Sequence, residues 1–244
     1  MKTPILMYHS IGESVPAGFA SCVVRPRQFC NHLASLAESG TSTLTVSELV
    51  RLRRMGAVPQ RTVVLTFDDG FADFLHHAMP ALHASGMTAT LYIPTGLLGG
   101  EFCGLPTLDW GALAVIRDAG FEIGGHSVLH PALDRLSPER ALDEVRGCKH
   151  ALEDRLGIAV DSFAYPFGFY TAQIRQTVIM AGYASACAVG YDFSANHDDP
   201  FALRRMIVTQ NDKRVDRLSH TAFLYRLRSR GWRSVRHIAR WGHG

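Results

Sequence analysis

Thr66-Phe67-Asp68-Asp69-Gly70 sets two carboxylates side by side, after the apolar run Val63–Phe67 and ahead of a glycine. Adjacent acids at the end of a buried strand repel each other, and they are costly to desolvate unless a cation or hydrogen bonds compensate. D-D-G is also good turn chemistry, so on its own the segment suits a solvated strand-to-loop turn equally well. A second cluster, Gly124-Gly125-His126-Ser127-Val128-Leu129-His130-Pro131, follows the run Phe121–Ile123. Two histidines four residues apart converge on one metal if the segment makes a turn. Alone, the spacing also suits two hydrogen-bonded loop histidines.

The two clusters together say more. Both follow predicted parallel strands, and ligands gather at the carboxyl ends of such strands. Imidazole nitrogens and a carboxylate suit zinc. Two histidines and one aspartate would leave coordination positions open, as a catalytic site requires. The second aspartate is then free to take a proton from an activated water, which amounts to metal-assisted hydrolysis. A third segment, Phe163-Ala164-Tyr165-Pro166-Phe167-Gly168, ends another run, with Pro and Gly bracketing an aromatic. It reads either as a plain turn after a core strand or as a rigid wall with backbone N–H groups aimed at the site.

The elements that must hold these residues are legible as a pattern. Apolar, β-rich runs recur at Ile5–Tyr8, Thr43–Val46, Thr62–Phe67, Thr88–Ile93, Phe121–Ile123, Ser162–Tyr165 and Ser185–Val189. Helical spacing separates most of them. Phe29, Leu33, Leu36 and Ala37 would share one face, as would Leu142, Val145, Leu152 and Leu156. Gly40, Gly86, Gly120, Gly157 and Gly182 stand where helices would stop. Continuous apolar runs suit parallel strands covered on both faces. About seven strand–helix repeats predict an α/β barrel rather than an open sheet.

Composition excludes a disordered chain or a disulfide-stapled miniprotein, with 47% hydrophobic and 19% charged residues in 244. The five cysteines are irregularly spaced and form no C-x-x-C pair, which predicts buried free thiols. The formal charge of +3 hides an asymmetry, because residues 213–244 carry nine Lys and Arg against one acid. We divide the chain there: 1–212 as the catalytic domain, 213–244 as a basic, helical tail. In the tail, Phe223, Leu224, Trp232 and Trp241 interleave with the arginines. That pattern suits a last helix packed on the barrel, or a segment resting on anionic lipid with Trp at headgroup level. Nucleic acid is not an expected partner, since no recognised binding module accompanies the charge. The opening MKTPILMYHS lacks the long apolar core of an export signal, which predicts a cytoplasmic protein, with the tail as a contact to the inner membrane face.

The three motifs, T-F-D-D-G at Thr66–Gly70, G-G-H-S-V-L-H-P at Gly124–Pro131 and F-A-Y-P-F-G at Phe163–Gly168, resemble the polysaccharide deacetylases of carbohydrate esterase family 4. The likeness runs from Val63 to Val189. It implies a distorted (β/α) barrel of about seven parallel strands and a divalent metal, usually Zn2+. It implies Asp69, His126 and His130 as metal ligands, Asp68 as general base and the Phe167 N–H as an oxyanion donor. Tyr165, Pro166, Phe167 and Trp110 are the expected substrate-binding residues, with the loop Leu97–Trp110 shaping substrate choice.

The chain departs from the family's pattern in two places. Where the family carries an Arg that orients the base, this chain has Ala164. The usual late strand ending in a catalytic His is missing, and Ile5-Leu6-Met7-Tyr8-His9 opens the chain instead. That resembles the permuted subgroup that deacetylates poly-N-acetylglucosamine, which makes His9 the general acid. Arg205, in Leu203-Arg204-Arg205-Met206-Ile207-Val208, is a candidate substitute for the missing Arg, although the segment reads more readily as a solvated basic turn. The implied reaction removes N-acetyl groups from N-acetylhexosamine units of a surface or exopolysaccharide, or its lipid-linked precursor. A small amino sugar or an O-acetyl ester are alternative substrates, and an inactive sugar-binding module is the non-enzyme alternative.

Overall fold

A computed structural model of the chain describes residues 2–190 and 193–215. Eight parallel strands carry the architecture: β1 (Ile5–Tyr8), β2 (Ser42–Leu44), β3 (Thr62–Phe67), β4 (Thr90–Ile93), β5 (Glu122–Gly125), β6 (Ser162–Ala164), β7 (Ser185–Val189) and β8 (Leu203–Ile207). Seven of them close a barrel in the order β1-β8-β7-β6-β5-β4-β3, with β3 pairing back to β1 through Leu6↔Leu65 and Tyr8↔Phe67. The eighth, β2, pairs only with the first half of β3, from Ser42↔Thr62 to Leu44↔Val64. β4 pairs with β3 further along, at Thr66 and Phe67. The Thr88 N–H donates to Thr43 Oγ1 at 2.8 Å, so β2 lies in the lower part of the β3–β4 seam.

The expected number of ring strands holds, but the membership differs. The run at Thr43–Val46 lies beside the ring, and Leu203–Val208 contributes β8 rather than a solvated turn. Two adjacent arginines suggest solvent only while their partners are unknown. Here Arg204 pairs with Asp198 at 2.7 Å and Arg205 with Asp68 at 2.6 Å. Each guanidinium is neutralised on its own side of the strand.

Among the described residues six α-helices pack on the ring, five around it and α2 at its floor: α1 (Pro26–Glu38), α2 (Val46–Arg54), α3 (Met79–Ala84), α4 (Trp110–Asp118), α5 (Pro138–Leu156) and α6 (Ala172–Met180). Their ends follow local chemistry. Thr45 and Glu48 form a reciprocal capping box on α2, and Asp109, Ser137 and Thr171 cap α4, α5 and α6 through their side chains. All five predicted stop glycines adopt positive φ. On α1 the buried face is Phe29, His32, Leu33, Ser35 and Leu36, and Ala37, expected there, is exposed.

Strand alternation makes two cores. Outward residues such as Leu6, Leu65, Leu91, Ile123, Phe163 and Met206 pack beneath the helices. Inward, Ile5, Val64, Tyr92, Ala164, Cys187 and Leu203 meet Val46, Leu49 and Val50 of α2, which closes the floor of the barrel. Of the five thiols, all free, only Cys148 and Cys187 are buried as expected, whereas Cys30 and Cys103 are exposed.

The described chain ends on the barrel. Val215 is buried, and the Asp212 carbonyl accepts from Gln28 Nε2 (2.8 Å) and contacts His32 Nε2 (2.5 Å). The remainder of the tail, with the helix and lipid readings attached to it, lies outside the described residues. Among the described residues no helix is long and apolar enough to cross a membrane.

Candidate active site

The predicted chemistry gathers at the carboxyl ends of the strands. β3 delivers Asp68 and Asp69, β5 delivers His126 and the turn to His130, β6 leads into Phe167, β1 into His9, and β8 carries Arg205. Six non-glycine residues among those described have positive φ, and four belong to the motifs: Asp69 (71°), Ser127 (66°), His130 (56°) and Phe167 (60°). Such a backbone costs about 1–2 kcal/mol per residue. Strain that recurs at the motif residues aims their side chains and N–H groups.

The Gly124-Gly125 pair ahead of His126 has a steric cause. A Cβ on Gly124 would sit 2.6 Å from the Tyr92 ring inside the barrel, and one on Gly125 would sit 2.2 Å from the Tyr183 hydroxyl outside it. The strand is therefore pinched between two tyrosines, which fixes where His126 emerges.

Asp69 Oδ1 lies 3.4 Å from the Nε2 of both His126 and His130 and is buried without a hydrogen bond. The three ligand atoms lie within 4.8 Å of one another. The opposite ring nitrogen of His126, Nδ1, lies 2.7 Å from the Ala164 carbonyl; since a carbonyl only accepts, Nδ1–H is the donor. Its Nε2 is thereby turned toward Asp69. Burial alone would raise the Asp69 carboxyl, but His130 and His126 outweigh it and hold the group below the usual carboxylate range. Burial pulls both imidazoles down. The Asp69 and Asp68 carboxylates more than reverse this at His126, whereas His130 is left at about 4. Two imidazole nitrogens and an orphaned carboxylate oxygen, converging in a buried negative pocket, fit a divalent cation.

Asp68 stands apart from the cluster, its Oδ2 3.8 Å from His126 Nε2. Arg205 grips it with both nitrogens, Nη1 to Oδ1 at 2.6 Å and Nη2 to Oδ2 at 2.7 Å, and Nη1 also donates to Thr66 Oγ1 at 3.2 Å. Arg205 is wholly buried, and its guanidinium lies 5.3 Å from the Tyr92 ring centroid. Burial would raise the Asp68 carboxyl, but Arg205, then His126 and His9, bring it below its ordinary value. His9 follows β1 half-buried, its Nδ1 without a hydrogen-bond partner among the described residues and its ring edge-on to Phe19 at 5.9 Å.

The expected substrate residues fare unevenly. The Phe167 ring flanks His130 at 4.7 Å. Tyr165 and Pro166, however, are buried, and the Tyr165 hydroxyl is spent on the Phe201 carbonyl at 3.0 Å. Their place is in the wall behind the site. Trp110 heads α4 with the Arg155 guanidinium over its ring at 5.3 Å, a neighbour from the outer helical layer. The aromatic that does reach the Asp69–His126–His130 cluster from the Leu97–Trp110 loop is Phe102, 5.2 Å from His130 and stacked on Phe71. Nothing in the spacing of that loop marked Phe102.

Residues 55–186 match the family model described as polysaccharide deacetylase. The chain is 26% identical over 209 residues to YxkH of Bacillus subtilis (strain 168), covering 85% of this chain and 72% of that protein. Its fold superposes on the Streptococcus pyogenes deacetylase PplD in complex with acetate with a TM-score of 0.80 at 27% identity, covering 86% of this chain and 94% of that one. IcaB from Ammonifex degensii shares the fold at a TM-score of 0.77 and 23% identity, covering 92% and 97%. The family match takes in all four residues Asp68, Asp69, His126 and His130 and more than half of the chain, which belongs to the polysaccharide deacetylase family.

Proposed function

We propose that this deacetylase removes N-acetyl groups from N-acetylhexosamine units of a surface or exopolysaccharide, or of its lipid-linked precursor, releasing acetate. The observation that carries the reading is the pairing of two unlike carboxylates. Asp69 Oδ1 is left without a hydrogen bond between two imidazoles, whereas Asp68 next to it is clamped by Arg205. One suits a cation, the other a proton.

Asp69, His126 and His130 would hold a divalent metal, Zn2+ by its ligand chemistry. When bound, such an ion supplies Lewis acidity to a carbonyl and lowers the pKa of a water. Asp68 accepts the proton of the attacking water. Arg205 fixes its carboxylate in one plane and keeps it ionised before the transfer. The backbone N–H of Phe167 donates to the developing oxyanion, a contact worth about 3 kcal/mol when well aligned. His9 protonates the leaving amine. The product amine is cationic at neutral pH, so the reaction changes the charge of the glycan. That PplD was captured with acetate supports an acyl-releasing reaction on this barrel. The lipid-linked substrate in this proposal rests on the basic, Trp-bearing composition of residues 213–244.

The test is acetate release, with and without chelator, across polymeric, oligomeric and nucleotide-linked N-acetylhexosamines. The expected result is chelator-sensitive release from the polymer or oligomer, greatest with the longer chains. Release confined to a nucleotide sugar, or unaffected by metal removal, would overturn the reading.

A further inference from the structure

The turn that joins the two histidines is held by groups outside the motif. Ser127 and His130 both have positive φ, so Ser127-Val128-Leu129-His130 does not hold its shape by conformational preference. Its backbone is instead paired atom by atom. The Thr95 N–H donates to the Ser127 carbonyl at 3.2 Å and the Gly96 N–H to the Val128 carbonyl at 2.8 Å. The His130 N–H donates to Ser127 Oγ at 2.9 Å. The N–H groups of Val128 and Leu129 both donate, at 2.8 Å each, to one oxygen of Glu144, which reaches across from α5.

The packing allows nothing looser. A Cβ on Gly96 would meet Leu129 Cδ2 at 2.8 Å and the Val128 carbonyl at 3.0 Å, and one on Gly147 would meet Val128 Cγ2 at 3.3 Å. The turn is thus pressed between the Thr95–Leu97 segment and α5, with Glu144 as the charged anchor on the helix side. Glu144 is half-buried, and what it binds is the two peptide units between His126 and His130.

We infer that Glu144 is a positioning residue for the metal centre. By collecting the Val128 and Leu129 N–H groups on one oxygen, it holds the separation of His126 and His130 that a single cation needs. The inference rests on the reading of Asp69, His126 and His130 as a metal site. Removing an outer contact that orients a ligand characteristically weakens metal binding about 10–100-fold, and here the contact is to the ligand-bearing backbone.

The test is zinc affinity of the full chain, measured by competition with a chromophoric chelator, for wild type and the variants Glu144→Ala, Glu144→Gln and Glu144→Asp. Gln keeps the reach and a carbonyl acceptor; Asp keeps the charge but is one methylene short. The expected result is affinity within about 3-fold of wild type for Gln and a loss of about 10-fold or more for both Ala and Asp. The Gln and Asp pair decides the point even if the Ala variant does not fold. Wild-type zinc affinity in Asp, or an equal loss in Gln and Asp, would overturn the positioning role. A wild-type chain that binds no zinc would instead overturn the metal reading, so the two failures are told apart.

Discussion

Two carboxylates point into this barrel from strands on either side of β4, one at the floor and one at the mouth, and the chain treats them in opposite ways. Glu122, at the start of β5, is held by neutral donors. Ser47 Oγ and Ser162 Oγ donate to its Oε1 at 2.5 and 2.9 Å, and Thr90 Oγ1 and the Ser47 N–H donate to its Oε2 at 2.6 and 3.3 Å. Those bonds tie the first turn of α2 to three strands, and both oxygens are used. Asp68, after β3, is held by a guanidinium that is itself fully buried, and Arg205 Nε keeps no partner. Hydroxyls are rotatable and neutral, so they make a staple. A buried cation keeps its carboxylate ionised and fixed in plane, which suits a group that must receive a proton.

The contrast breaks most sharply at the proposed metal site. His130→Ala should lose stoichiometric zinc by elemental analysis and with it essentially all acetate release. Retained zinc would remove His130 from the ligand set. Asp68→Asn should lower turnover by about 1,000-fold, the scale of general-base loss, with zinc content unchanged. Arg205→Met leaves Asp68 buried without its cation and should cost about 3 kcal/mol in urea unfolding of the metal-free protein, with kcat reduced more than KM changes. Glu122→Gln should cost about 1 kcal/mol in the same unfolding assay and leave kcat and KM at wild-type values. An equal effect of Glu122→Gln and Arg205→Met on kcat would erase the distinction between floor and mouth.

How much of this the sequence disclosed depended on distance along the chain. The motif residues are local: D-D-G and H-S-V-L-H carry their own spacing, and the runs before them read directly as strands. The stop glycines were legible because a left-handed helix end leaves few alternatives. Arg205 was only a candidate, since its partner Asp68 is 137 residues away and a buried ion pair leaves no periodic trace. Tyr165 and Trp110 were assigned to substrate by position in a motif or loop, which says nothing about facing; the one is sealed behind the site and the other lies under Arg155. Glu144 is invisible for a related reason, because its partners are peptide N–H groups that any residue type would present.

The place of β8 in the ring has a consequence for how the enzyme is made. β8 is the last strand of the described chain, yet it lies between the first, β1, and the seventh, β7. Barrel closure therefore waits for β8 to insert beside a strand that precedes it by almost the whole described chain. This is a high-contact-order step, slow by nature. Until then Asp68 has no guanidinium and the β1 edge stays open to other strands. A chain stalled on the ribosome before Arg205 emerges would hold His126, His130 and both aspartates and still lack an assembled site. Competence arrives with the docking of β8.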